Sequence, residues 1–374
     1  MRYTTVLLLF VALLAGMLVA VGQSGMAAGE DAGGQEKAPA AWPGAEDAAY
    51  YRFLSKWALN WNLYNSAERG PITYVRAQLA AGATPNHPIR EGNTALHAAA
   101  RGGKPAIIEL LIKAGADTTV RNKFRNTPLH EAAQSNQPRA VVALLAAGAD
   151  INARDAFGYS PAMVALLHRS REALKELETA GSNVLEELKV CLEQKETFDY
   201  RLGKGVPPLF GAAFCDRTDL LKLLAENGTS LSMPDKRGRK ALHHAAEGNA
   251  ANAIELLIAA GEPHSAPDPK GTTPLHLAAQ TNSAAAIVAL IAAGADSNAL
   301  DKDKHTPMHI AVKADAVAAL EALVTAGVAV DVRDTEGRTA LHLAVESSKT
   351  DTVAALLRLG ANANAVANDG PTPS

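Results

Sequence analysis

At 374 residues, with 36 basic against 39 acidic side chains, the chain lacks the basic excess expected of a general nucleic-acid binder. Hydrophobic content is 48% while aromatics are only 5%, so alanine and leucine must build the core. Two cysteines are too few for a disulfide-framework fold.

Taken in order, the chain opens on a segment that reads as a secretory signal over residues 1–27. Arg2 is the lone early charge, and Val6 to Val21 is an unbroken apolar or small run. That run falls short of the ~20 residues needed to span a bilayer, which favours cleavage, after Gly22 or Ala27, over retention as an uncleaved inner-membrane anchor. The absence of a cysteine after the run excludes lipid attachment there. The mature chain is therefore expected in the periplasm or secreted. Residues 28–45, rich in Gly, Ala and Pro, read as a flexible linker. Residues 46–60 read as a capping helix, because Tyr50, Phe53, Leu54, Trp57 and Trp61 share one helical stripe.

From there the sequence repeats itself. Thr273–Ala279 reads TPLHLAA and Thr127–Ala133 reads TPLHEAA, with worn copies starting at Thr94, Lys240, Thr306 and Thr339. Starts at 240, 273, 306 and 339 are 33 apart, as are 94 and 127. A second marker keeps the register: a glycine closes each leucine-rich helix at Gly82, Gly115, Gly148, Gly181, Gly228, Gly261, Gly294, Gly327 and Gly360. A left-handed residue is required at such helix ends, and glycine adopts that conformation without steric cost.

A period of 33 built on this motif resembles the ankyrin repeat, a turn plus two antiparallel helices. The resemblance covers residues 61–371 and implies an all-α solenoid. It would be a right-handed curved stack of nine repeats starting at 61, 94, 127, 160, 207, 240, 273, 306 and 339, followed by a stub at 372–374. Thr would cap the first helix, Pro would take its first position and Leu would pack inward. The motif histidines His97, His130, His243, His276, His309 and His342 would tie each repeat to its neighbour. They stand a layer apart, too far for shared metal coordination.

Departures mark where the array changes. Ser160 starts a copy with Met163 in the histidine place, and Phe210 replaces histidine in the next. Between them, within residues 182–206, lie 14 extra residues, and Val184 to Lys195 has helical spacing. Both cysteines are at this break, and export would permit a Cys191–Cys215 disulfide worth roughly 3 kcal/mol in a chain-entropy account.

No pattern for a catalytic centre stands out. His130-Glu131 begins a zinc-protease motif but has Gln134 where the second histidine belongs. His244 and Glu247 share a helical face and are the one place a metal-assisted hydrolase could be built. The resemblance implies instead a non-enzymatic protein–protein interaction module without a cofactor, of the exported bacterial type. An inhibitor or immunity partner of a secreted toxin or hydrolase is the alternative. Contacts would come from the first-helix face and from the turn fingers preceding each start. One group of finger residues is Lys123, Phe124 and Arg125 with Phe157 and Tyr159 on the next finger. A second is Lys236, Arg237 and Arg239, and a third is Lys270, Lys302, His305 and Arg338. Their excess of Lys and Arg suits a protein partner with an acidic surface, anchored on the aromatics.

Overall fold

The computed structural model describes residues 48–193 and 208–368. The expected signal and linker, the stub and the second half of the insertion lie outside these residues. What is described is a stack of paired helices with no sheet; the one extended pairing among them is a single antiparallel bridge, Arg333 to Thr339. No described helix is long and apolar enough to cross a membrane.

Each regular layer is a seven-residue helix followed by a nine-residue one, as in Pro128–Gln134 with Pro138–Ala146 and Pro274–Gln280 with Ala284–Ala292. The short helix starts where Thr adopts extended φ/ψ as N-cap and Pro, which has no N–H to lose, takes the first turn. The longer helix stops at a glycine with positive φ, +88° at Gly115 and +82° at Gly148. A Cβ at either would meet nothing within 4 Å, so backbone conformation rather than space selects glycine there.

Packing follows from small residues. Ala98, Ala99, Ala132, Ala133, Ala278 and Ala279 are fully buried, which lets consecutive first helices approach closely. Leu96, Leu129, Leu242 and Leu275 stack between them, and Val141 with Leu144, or Ile287 with Leu290, seal the second helices. Each buried Leu contributes about 2 kcal/mol when removed from water. A single layer can bury these side chains only against its neighbours, so the stack is the folding unit.

One boundary differs from the expectation. No helix ends at residue 60: α1, Ala48–Arg69, runs without a break through Trp61, so the cap and the first helix of the first repeat are one element. No proline stands near Trp61 to stop it, and the flanking Asn60 and Asn62 stay within the helix. Trp57 and Trp61 stack on its surface with centroids 5.5 Å apart, and Arg90 lies over Trp61 at 4.7 Å.

Candidate functional site

The surfaces open to a partner are whatever the layer-to-layer ties leave over, so the ties come first. His276 Nε2 lies 3.0 Å from the His305 carbonyl of the next layer, which can only accept. Nε2 therefore carries the proton, and Nδ1 accepts from the Thr273 N–H at 3.2 Å and its hydroxyl at 2.8 Å. His97, His130 and His309 repeat the contact to the Asn126, Tyr159 and Arg338 carbonyls. Burial holds these imidazoles below their ordinary pKa, His130 at about 4, and the neutral tautomer is the one the bonds require.

A second row of ties was legible at the same spacing but overlooked. The turn between the helices of a layer holds Asn136, Asp216, Asn249, Asn282 or Asp315 at positive φ. In four of them Oδ1 accepts an N–H from the next layer's second helix: Ala173, Ala253, Ala286 and Ala319. Asn and Asp tolerate the left-handed region and supply the acceptor together.

The fingers then divide sharply. Lys123, Phe124, Arg125, Lys236, Arg237, Lys270 and Lys302 are exposed. Tyr159 and His305 are each only 9% exposed, so neither can be offered to a partner. Tyr159 instead lends its carbonyl to His130 and stacks on the half-buried Phe157. Arg239 is held by Asp235 and Glu247 at 3.2 Å each, and Arg338 by Asp334, Glu336 and Glu346. These two arginines support fingers from within. A readable signal was the residue eight places on: Arg239 meets Glu247, Arg338 meets Glu346 and His305 meets Lys313.

The sequence matches the family model for ankyrin repeats (3 copies) over residues 63–155, 209–301 and 275–367. The chain belongs to the ankyrin-repeat family. Comparison with curated proteins gives no match. Ankyrin repeats are in general protein–protein interaction modules, and the family is typically non-enzymatic.

Within this ankyrin array His244 and Glu247 form an ion-pair cluster. His244 Nε2 is 3.1 Å from Asp235 Oδ2, while Glu247 Oε2 takes Arg169 at 2.7 Å and Arg239 at 3.2 Å. Two guanidiniums stand where a metal would need to enter. Burial, and then Arg239 and Arg169, push the His244 pKa down to about 3. The sole group of three metal-type ligands among the described residues is Asp301, Asp303 and His305, whose ligand atoms lie within 4.8 Å of one another. The Lys313 ammonium is 2.8 Å from His305 Nε2 and can only donate, which leaves the ring proton on Nδ1, toward Asp301 Oδ1 at 3.6 Å. A metal would need that nitrogen bare, so the trio reads as a charged turn.

At the break the inserted helix, Val184–Glu193, stands 33 residues after the finger bearing Arg154 and Phe157. Arg121 bonds the Arg154 carbonyl 33 residues on, and Arg154 bonds the Glu187 carboxylate, again 33 residues on. Glu187 also accepts from the N–H and hydroxyl of Ser160, the groups that histidine serves or faces elsewhere. It thus stands in for the imidazole that Met163 cannot supply. The structure holds no Cys191–Cys215 disulfide. Cys191 lines a cavity of about 450 Å³ against the finger bearing Arg154 and Phe157. Cys215 lies on the other side of the break among Arg171, Arg217 and Glu178, where burial pushes its thiol up to about 12.

Proposed function

We propose that this chain is a non-enzymatic binding module of the bacterial envelope that captures another exported protein through its fingers and first-helix face. The carrying observation is that one register supplies both the buried ties and a row of exposed finger residues, Phe124, Arg237, Lys270 and Lys302 among them, that the core does not use. Residues 1–27, read as a secretory signal, supply the envelope location. The preference for a partner with an acidic surface rests on exposed Lys and Arg at these tips, where charge acts mainly on encounter rate and specificity.

The test is capture from envelope extract with a photo-activated cross-linker at Lys270, followed by identification of the adduct. One recurrent exported protein is expected, with its yield reduced by Arg237→Glu combined with Lys270→Glu. A partner confined to the cytoplasm, or no adduct above a scrambled control, would sink the reading.

A further inference from the structure

One finger is built differently from the five that follow it. The later fingers open on Asp155, Asp235, Asp268, Asp301 and Asp334, each using Oδ1 to accept the N–H groups two and four residues on. These carboxylates place a negative charge in every such finger. At the corresponding place stands Asn122, whose Oδ1 makes the same two bonds, to the N–H groups of Phe124 at 2.9 Å and Asn126 at 3.0 Å. Its Nδ2 donates to Asn93 Oδ1 at 2.9 Å and to the buried Glu131 carboxylate at 3.2 Å. An aspartate there would set two buried carboxylates against each other, so the turn is made with an amide.

The amide leaves the finger without an acid of its own. Residues 121–126 read Arg-Asn-Lys-Phe-Arg-Asn. Arg121, Lys123 and Arg125 are all exposed, and Arg125 has no carboxylate within ion-pair distance among the described residues. Lys123 reaches Glu91 at 3.2 Å, but both side chains are about half exposed, and pairs of that kind hold weakly. Between the cations Phe124 is 37% exposed, with the Lys123 ammonium 5.2 Å from its ring centroid. The next finger is fixed against it by the Ala156 N–H on the Phe124 carbonyl at 2.9 Å. A partly exposed aromatic flanked in sequence by Lys123 and Arg125 on a braced turn combines the aromatic and arginine character that interface hot spots favour.

We propose that the finger at 121–126 is the principal anchor for the partner, and that it takes a linear acidic segment carrying an apolar side chain beside its carboxylates. The apolar group covers Phe124 while the carboxylates face Arg125 and Lys123. This rests on the protein-binding reading above and narrows it to one finger and one partner chemistry.

Selection of displayed random dodecapeptides on the immobilised full chain tests it. The enriched sequences are expected to place Asp or Glu next to an aromatic or leucine. Their capture should fall about tenfold or more with Arg125→Glu or Phe124→Ser. The same capture should change by less than about twofold with Lys175→Glu plus Lys222→Glu, exposed charges on second helices outside the fingers. All four positions are exposed, so unchanged circular dichroism confirms that each variant is folded. Neutral or basic selected peptides, preferential binding of a single-stranded oligonucleotide, or indifference to the finger variants overturns the proposal. Loss with Lys270→Glu plus Lys302→Glu but not with the Phe124 and Arg125 variants overturns it while leaving the protein-binding reading intact; no enrichment at all overturns both.

Discussion

At Thr273 the layer holds the next by an imidazole and an asparagine: His276 reaches the His305 carbonyl and Asn282 the Ala319 N–H. Across the step from Ser160 to Phe214 neither residue is present, for Met163 stands in the histidine place and Arg169 in the asparagine place. Arginines take over. Arg169 lies 5.2 Å from the Phe214 ring and ends on Glu247, Arg171 bonds the Phe214 carbonyl, and Arg217 pairs with Glu178. The inserted helix, rather than Arg171–Thr179, makes the main contact with Thr218–Glu226. The step at Thr273 is thus joined by short neutral bonds to backbone, and the break by charge and cation–π contact. The first kind resists salt and yields to acid; the second is exposed to screening.

The comparison breaks most readily at a regular tie. His276→Met imports the residue of the break, keeps most of the volume, and leaves the Thr273 N–H and the His305 carbonyl buried without a partner. A loss of about 2–3 kcal/mol in urea unfolding is expected. The reciprocal Met163→His should gain almost nothing, since Glu187 already occupies the Ser160 N–H. Equal and small effects from both would show that the ties contribute no stability.

Acid should separate the two kinds of step. His130, whose folded pKa is about 4 against an ordinary 6.5, binds its proton more readily when unfolded. Its contribution is therefore fully present above pH 6.5 and lost as the pH falls toward 4, on the order of 3 kcal/mol if the whole shift is realised. His97, His243, His276 and His309 shift in the same direction. Hydrogen exchange at pH 5 against pH 7 should show protection lost first in the layers carrying these histidines. Uniform loss along the chain, the Ser160 layer included, would contradict the assignment.

A smaller effect sharpens the comparison at its substitute tie. Glu187→Gln retains shape but removes the charge that Arg154 and the Ser160 hydroxyl face, and about 1–2 kcal/mol should be lost. Glu187→Ala should cost more and should also enlarge the adjoining cavity. If both variants melt like the parent, Glu187 is a bystander to its three partners.

How far the sequence carried these conclusions depends on what each inference needed. Layer positions required only a period, and the TPLH motif with its closing glycines gives one. The Asn/Asp turn row has that period too and could have been found beside the histidines. Finger contacts are a different matter, because spacing places a residue at a tip without saying where its side chain goes. Arg239 and Arg338 turn inward because an acid waits eight residues on, and Tyr159 because its ring packs on Phe157. Nor does helical spacing on either side of Trp61 say whether one helix or two will form when nothing interrupts it.

The smallest expected effect bears on how the break is held. Arg169→Ala removes the contact to Phe214 and the bond to Glu247, both partly open to water, so no more than ~1 kcal/mol should be lost. Its signature is salt rather than size. In the parent, raising ionic strength should loosen amide protection of Pro161–Leu167 and Pro208–Phe214 while the pair Pro274–Gln280 and Pro307–Lys313 hardly responds. Arg169→Ala should start looser and respond less, because the screened contact is already gone. A regular step that loosens with salt as much as the break would erase the distinction between them.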